Sequence, residues 1–157
     1  HYDEVFSPVC RLESLRIFLA LSTILDLHIH QLDISTAFLH ADLPDDVYMY
    51  QPEGTAKPGE EHLVCKLNKA LYGLRQSPRL FYQLLHKYLL EIGFTRTQKD
   101  YCVYTKTDAK GNQVFLIVYV NDLNIACSCI DTLNQADQDW RIDSISRIWA
   151  LSISCSR

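Results

Sequence analysis

Apolar and polar positions recur along the chain with a helical period in some stretches and an alternating period in others. After Ser7-Pro8, leucines return at helical spacing, which predicts a helix that begins at this pair and runs to about Asp26. A second pair, Ser77-Pro78, opens the clearest amphipathic helix, and Gly93 ends it. The predicted apolar face of this second helix consists of Leu80, Leu84, Leu85, Tyr88 and Ile92.

Short apolar runs predict the strands. The segment "LHIHQLDIS" predicts a strand that ends near Asp33, followed by a short helical stretch, an acidic loop at Asp45-Asp46 and the strand "VYMYQ". A surface loop rich in Pro and Gly then leads to the strand "HLVCKL". The segments "YCVYTKT", "QVFLIVYV" and "LNIACSC" predict a three-stranded antiparallel meander whose last turn is Asn121-Asp122. A final helix is predicted from Asp131 to Trp140.

This order of elements predicts an α+β fold in which helices pack on one face of an antiparallel sheet. The chain has 157 residues, of which 48% are apolar, and this length suits a single domain over residues 1–157. No stretch approaches the ~20 consecutive apolar residues that a membrane-spanning helix needs. We therefore expect one soluble domain without a membrane segment.

The charged residues are distributed unevenly. The formal net charge of −4 gives no global reason to expect a polyanionic partner. Residues 62–90, however, contain five basic residues and no acidic one. These basic residues are Lys66, Lys69, Arg75, Arg79 and Lys87. The segment is a local basic island in an acidic chain.

Two carboxylates lie where strands are predicted to end. Asp33 follows an apolar strand, and Asp122 lies at the tip of a hairpin much later in the chain. If the two strands are neighbours, both carboxylates point at one spot beyond the sheet edge, where Mg²⁺ could bind with phosphates completing its oxygen ligands. The alternative is purely structural, with Asp33 capping the next helix and Asn121-Asp122 forming the turn. The spacing alone leaves both interpretations open.

The segment "LYGLRQSPRLFY" is a second candidate for ligand binding. Gly73 allows a close approach of the backbone, Arg75 offers planar donors for a phosphate, and Ser77-Pro78 begins a helix whose N-terminal dipole favours an anion. The alternative is an ordinary strand–turn–helix connection with solvated basic residues. From the residues alone, the two interpretations have equal weight.

Four colinear segments resemble the reverse transcriptase domain of copia-type long-terminal-repeat retrotransposons. They are "QLDISTAFLHADLPDDVYMYQPEG", "VCKLNKALYGLRQSPRLFY", "IGFTRTQKDYCVY" and "LIVYVNDLNIA". The resemblance is clear from about Tyr2 to Ala126 and degenerates over residues 127–157. It implies a polymerase palm, and because the basic fingers segment and the thumb do not match any part of the chain, we expect incomplete fingers and no thumb.

The family reaction is RNA-directed DNA synthesis, in which a primer 3′-hydroxyl attacks a deoxynucleoside triphosphate with two Mg²⁺ ions. The resemblance therefore implies Mg²⁺ as cofactor and, as partners, an RNA or DNA primer-template with deoxynucleoside triphosphates. Matched to the family motifs, the catalytic positions are Asp33, Asn121 and Asp122, and the metal ligands are Asp33 and Asp122. Family elements act inside the cell, so cytoplasm or nucleus is the expected location.

The resemblance also implies a nucleotide site. Phe38 falls where the family places an aromatic gate beneath the nucleotide sugar, which would clash with a ribose 2′-hydroxyl. The segment that supports the incoming nucleotide and the template base comprises Gly73, Arg75, Gln76 and Ser77.

One departure affects the chemistry directly. The family hairpin reads Tyr-Val-Asp-Asp, whereas this chain reads Tyr-Val-Asn-Asp, so that Asn121 replaces the principal metal ligand. An amide oxygen is a weaker, monodentate ligand, and we predict that the chain polymerises poorly or not at all.

Two other functions remain open. One is a non-catalytic remnant or domesticated module that binds nucleic acid through the basic residues and through stacking on aromatic side chains. The residues concerned are Lys66, Lys69, Arg79 and Lys87, with Tyr72, Phe81 and Tyr82. The other is a working reverse transcriptase, which requires that Asn121 be tolerated or that another chain supply the missing parts.

Overall fold

The structure is a computed structural model that describes residues 6–56 and 58–134. It is a mixed α/β fold with antiparallel sheets. The elements, in chain order, are α1 (Leu12–Ile24), β1 (His28–Asp33), a 3₁₀ helix (Ala37–His40), β2 (Asp42–Tyr50), β3 (Val64–Lys69), α2 (Ser77–Glu91), β4 (Thr95–Arg96), β5 (Val103–Thr107), β6 (Gln113–Tyr119) and β7 (Asp122–Cys127). Residues 130–134 begin a further helix, and the rest of the predicted final helix lies outside the described residues.

The strands form two sheets rather than the single sheet expected from the sequence. Five strands have the order β1-β7-β6-β5-β4, and every neighbouring pair is antiparallel. The predicted meander is confirmed as β5, β6 and β7, and β1 pairs with the outer side of β7. Strands β2 and β3 form a separate two-stranded ribbon. Sequence patterns do not specify which strands become neighbours, because that depends on contacts between distant segments.

The core lies around the central strands β6 and β7. Their near-continuous apolar runs are buried, as expected for strands that are covered on both faces of the sheet. Helix α2 buries a stripe at four-residue spacing, formed by Ser77, Phe81, Leu85 and Leu89. Of the predicted apolar face only Leu85 is fully buried, and the other four residues are partly buried at its margin. The helix is rotated from the predicted orientation because Phe81 packs inward against Phe38.

Helix α1 begins later than its Ser-Pro signal predicts. The Ser7 hydroxyl donates instead to the carbonyl of Pro78, 3.3 Å away, and the helix starts only at Leu12. The buried Asp100 carboxylate accepts hydrogen bonds from the Arg11 N–H and from the Ser14 hydroxyl. A side chain from a distant loop therefore satisfies the first turn of α1, a role that a local capping residue usually has.

The prediction of an acidic loop was wrong, because Asp45-Asp46 lie within strand β2. Opposite-charge pairs across the ribbon stabilise this arrangement: Lys69 binds Asp42 at 2.7 Å, and Lys66 binds Asp46. The sequence of β2 alone could not show which lysines of β3 would meet its aspartates. Within the described ranges, no helix combines the length and apolar character that crossing a bilayer requires.

Candidate active site

Two carboxylates face each other where β1 ends and β7 begins, next to the turn between β6 and β7. Asp33 ends β1, Asp122 begins β7, and the two residues are direct cross-strand partners. Residues paired in this way in antiparallel strands have Cβ atoms about 4.5–5.5 Å apart and point to the same face of the sheet. The structure therefore brings together the two residues that the sequence suggested as metal ligands.

The hairpin between β6 and β7 turns one residue earlier than the polar pair suggested. Tyr119 and Asp122 close the hairpin as a pair, so that Val120 and Asn121 form its two-residue tip. Val120 has φ of 55°, a left-handed conformation that is costly for a β-branched residue, by about 1–3 kcal/mol. The surrounding contacts thus impose a strained backbone next to the carboxylates.

Asn121 is held at both its backbone and its side chain. Its carbonyl accepts a hydrogen bond from the Ile34 N–H at 3.1 Å, which extends the pairing of β1 and β7 into the turn. Its side-chain Nδ2 donates to the Tyr72 hydroxyl at 3.2 Å. Its Oδ1 is buried and has no hydrogen-bond partner. A buried acceptor without a partner costs about 1–3 kcal/mol, so a ligand that contacts this oxygen would recover free energy.

The oxygen atoms at this site suit a hard divalent cation. Asp33 is exposed and Asp122 is half-buried, with its Oδ1 accepting a hydrogen bond from Gln31 Nε2 at 3.2 Å. Their carboxylate oxygens are ligands of the kind that Mg²⁺ could bind together with water or phosphate oxygens. In the part of the chain that the structure describes, no cluster of three or more His, Cys, Asp or Glu side chains could hold a metal ion.

Phe38 lies beside this site on the 3₁₀ helix and is buried. Its ring packs against Tyr72, with ring centroids 4.6 Å apart, and against Phe81 at 6.0 Å. Behind it lies an apolar cavity of about 270 Å³. The cavity is lined by Ser7, Pro8, Val9, Phe38, Pro78, Phe81, Tyr82, Leu85, Val118 and Val120. The aromatic ring predicted as a sugar gate is thus fixed between Tyr72 and Phe81 of α2.

The predicted nucleotide segment lies between β3 and α2. Gly73 has φ of 97°, which a residue with a side chain adopts only with strain, and Arg75 is exposed. Gln76 is half-buried at the start of α2. Ser77 is fully buried, and its hydroxyl donates to the Leu71 carbonyl. Arg75 is therefore available to a ligand, whereas the Ser77 side chain is engaged within the fold.

The four basic residues suggested for nucleic-acid binding lie in different settings. Lys66 and Lys69 both bind aspartates of β2. The hydrogen bond with Asp46, and then its charge, raise the pKa of Lys66. Arg79 is half-buried and Lys87 is exposed, both on α2. The positive charge of the basic island is therefore partly neutralised by the aspartates of β2.

Two residues contact the site although the sequence analysis did not assign them to it. Tyr72 was considered only as a stacking residue, yet its hydroxyl binds Asn121. Gln31 was not considered at all, although its amide binds Asp122. The alternation along β1 does place Gln31 and Asp33 on one face, and that signal could have identified Gln31. Nothing in the sequence indicated that Tyr72 contacts Asn121.

Comparison with known proteins shows the family of the chain. The family model described as reverse transcriptase (RNA-dependent DNA polymerase) matches residues 1–143. The chain belongs to this family, as its motifs predicted. No solved structure matches the chain.

Among curated proteins, the chain is similar to transposon Pol polyproteins. It is 46% identical over 124 residues to the retrovirus-related Pol polyprotein from transposon TNT 1-94 of Nicotiana tabacum, which covers 79% of this chain and 9% of that protein. It is 44% identical over 124 residues to the Pol polyprotein from transposon RE1 of Arabidopsis thaliana, covering 79% and 8%. The chain thus spans less than a tenth of these two relatives and represents the reverse transcriptase region of a retrotransposon Pol polyprotein.

Proposed function

We propose that this chain is a single palm domain whose site for RNA-directed DNA synthesis consists of Asp33, Asp122 and the amide of Asn121. The observation that carries the proposal is the cross-strand pairing of Asp33 with Asp122 at the base of a strained hairpin. Two like charges placed opposite each other destabilise a sheet, so their retention is explained best by a cation that binds both.

Asp33, Asp122 and Asn121 Oδ1 would hold the divalent cation. When bound, Mg²⁺ neutralises charge on the phosphates and favours attack by the primer hydroxyl. The protein residues position the reactants: Phe38 packs beneath the nucleotide sugar and disfavours a 2′-hydroxyl, and the exposed Arg75 guanidinium binds a phosphate of the incoming nucleotide. Gly73 and Gln76 shape the backbone beside it. The corresponding partners are a primer-template and deoxynucleoside triphosphates.

We expect this activity to be weak in the chain as it stands. A carboxylate at position 121 would add a third negative charge to the site, and the amide provides none. If this loss costs several kcal/mol of stabilisation in the transition state, the rate falls roughly a thousandfold or more.

The test is extension of a labelled primer on an RNA template, with Mg²⁺ or Mn²⁺, by the unaltered protein, Asn121→Asp and Asp33→Ala. Asp45→Ala is the matched control, since Asp45 is exposed on β2 away from the paired carboxylates. We expect slow or no extension by the unaltered protein, faster extension by Asn121→Asp, and none by Asp33→Ala. Extension that survives Asp33→Ala would overturn the proposal.

If none of these proteins extends the primer, measurement of direct Mn²⁺ binding tests the proposal instead. The proposal requires that Asn121→Asp bind Mn²⁺ more tightly than the unaltered protein and that Asp33→Ala bind it at least tenfold more weakly. Equal Mn²⁺ affinity in all of these proteins would refute the assignment of the site.

A non-catalytic module that binds nucleic acid receives less support. Lys66 and Lys69, two of the four basic residues on which it depends, are engaged by Asp46 and Asp42. Phosphate contacts from these lysines would require those ion pairs to break.

A further inference from the structure

Gln31 contacts one carboxylate of the candidate site directly. It lies on β1 two residues before Asp33, and its side-chain Nε2 donates to Asp122 Oδ1 at 3.2 Å. In the register of β1 and β7 the direct partner of Gln31 is Asn124, so the contact with Asp122 is diagonal. Diagonal neighbours on one face of a sheet are within reach of long side chains, and a glutamine is long enough to make this contact.

The two paired carboxylates differ in how they are held. Within the described residues, the Gln31 amide is the one group that donates to the Asp122 carboxylate, and the Asp33 carboxylate accepts no hydrogen bond. Asp122 is also half-buried, whereas Asp33 is exposed. A neighbour on β1 therefore holds one carboxylate of the pair and not the other.

The chemistry of the two groups fixes the direction of this hydrogen bond. An ionised carboxylate only accepts hydrogen bonds, and the NH₂ group is the only donor of a glutamine side chain. The contact therefore requires that Nε2, rather than the amide oxygen, face Asp122. The donor is also neutral, so it compensates a half-buried carboxylate without adding a positive charge that would repel a cation.

We propose that Gln31 is a positioning residue that holds the Asp122 carboxylate in place for the divalent cation. This inference rests on the proposed function, because it assumes that Asp33 and Asp122 bind that cation together. The hydrogen bond engages one carboxylate oxygen of Asp122 and leaves the other available, and it restricts the side chain before the cation binds. Binding then has to order one carboxylate side chain, that of Asp33, instead of two.

Gln31→Met tests the amide donor separately from the size of the side chain. Methionine is similar in length to glutamine and cannot donate a hydrogen bond. Gln113→Met is the matched control, since Gln113 is also an exposed strand residue and its Nε2 donates to the Thr107 hydroxyl at 2.9 Å. Gln113 begins β6, and the other end of β6 pairs with Asp122, so the control removes an amide donor away from the carboxylates.

The first measurement is the affinity for Mn²⁺, by electron paramagnetic resonance of the free ion, with circular dichroism to establish that each variant is folded. Loss of a hydrogen-bond partner of a metal-binding side chain typically weakens metal binding about 10–100-fold. Because the contact of Gln31 is exposed, we expect the low end of this range, about tenfold, for Gln31→Met. Gln113→Met should have little effect. A loss in Gln31→Met no larger than that in the control would overturn the inference.

The second measurement tests the contact without metal. The side-chain NH₂ signals of Gln31, identified in the ¹⁵N NMR spectrum by their absence from Gln31→Met, should shift in Asp122→Ala and keep their positions in Asp45→Ala. Unchanged signals in Asp122→Ala would overturn the inference whatever the metal does.

These measurements separate the inference from the proposed function on which it rests. If Asp33→Ala loses Mn²⁺ affinity while Gln31→Met keeps it, the metal site is correct and the role of Gln31 is wrong. If the NH₂ signals shift in Asp122→Ala while Asp33→Ala leaves Mn²⁺ affinity unchanged, the contact exists but the proposed metal site is wrong, and Gln31 has no role in metal binding.

Discussion

Asp33 and Asp122 are direct cross-strand partners on β1 and β7, so that two carboxylates lie opposite each other. Like charges in directly opposed positions repel each other, which lowers the stability of the sheet in the absence of a cation. The paired carboxylates of the site that we propose for catalysis therefore lower the stability of the fold when no cation is bound.

Neutralising one of these carboxylates should stabilise the protein without metal. We expect Asp33→Asn to raise the free energy of unfolding in urea by about 0.2–1 kcal/mol in the presence of a chelator, because the repulsion is removed. Excess Mn²⁺ should stabilise the unaltered protein through binding and should leave Asp33→Asn unchanged. Asp45→Asn is the control and should respond to Mn²⁺ as the unaltered protein does. A loss of stability in chelator would contradict this account.

Asp100 should make the stability depend on acid pH. Burial alone would raise the pKa of this carboxyl, but hydrogen bonds from Ser14, Arg11 and Cys102 outweigh it and the pKa lies below its ordinary value. The folded state therefore favours the carboxylate. Its contribution is complete above the unfolded pKa of ~3.9 and is lost as the pH falls through the folded pKa.

Asp100→Asn measures this contribution. At neutral pH the variant should be less stable by about 1–3 kcal/mol, since one of the buried donors loses its acceptor. The difference from the unaltered protein, measured by urea unfolding at several pH values, should shrink below about pH 4. A difference that stays constant down to pH 2 would show that the charge of Asp100 contributes nothing.

The aspartates of β2 should limit binding of nucleic acid by the ribbon. We expect the double variant Asp42→Asn/Asp46→Asn to bind single-stranded RNA more tightly at low salt, because Lys69 and Lys66 become available to phosphates. The slope of log affinity against log salt should steepen by roughly 0.7 for each lysine that then contacts RNA. Asp45→Asn removes one negative charge from the same strand, half the change in the double variant, and should produce much less than half of its effect. An effect half as large would mean that only net charge matters.

The cysteines should differ widely in reactivity. Burial, then the charge of Asp100, raise the pKa of Cys10 to about 11, and the same two causes raise that of Cys102 to about 12. Hydrogen bonds with the Thr132 side chain and backbone lower the pKa of Cys129. Because the thiolate is the reactive form, iodoacetamide at pH 8 should label Cys129 at least about tenfold faster than the buried pair.

Peptide mass spectrometry over a time course measures these rates. Thr132→Val should slow the labelling of Cys129, and urea should make the three rates similar. Fast labelling of Cys10 or Cys102 in the folded protein would contradict the burial described above.

The sequence determined by itself those features that depend on neighbouring residues. Alternation placed β1 and the meander, Ser77-Pro78 marked the start of α2, and the motifs around Asp33 and Asp122 identified the family. These features depend on local backbone preferences and on short patterns, which a single chain displays directly.

Only the tertiary structure decided which distant residues meet. Asp100 fixes the start of α1, lysines of β3 hold the acidic strand β2, and the Tyr72 hydroxyl meets the amide of Asn121. Each of these contacts joins segments that are far apart in the chain, so its existence depends on strand order, register and helix rotation together. The sequence named the residues of the candidate site, and the pairing of β1 with β7 placed Asp33 opposite Asp122 because antiparallel register aligns the end of one strand with the beginning of the other.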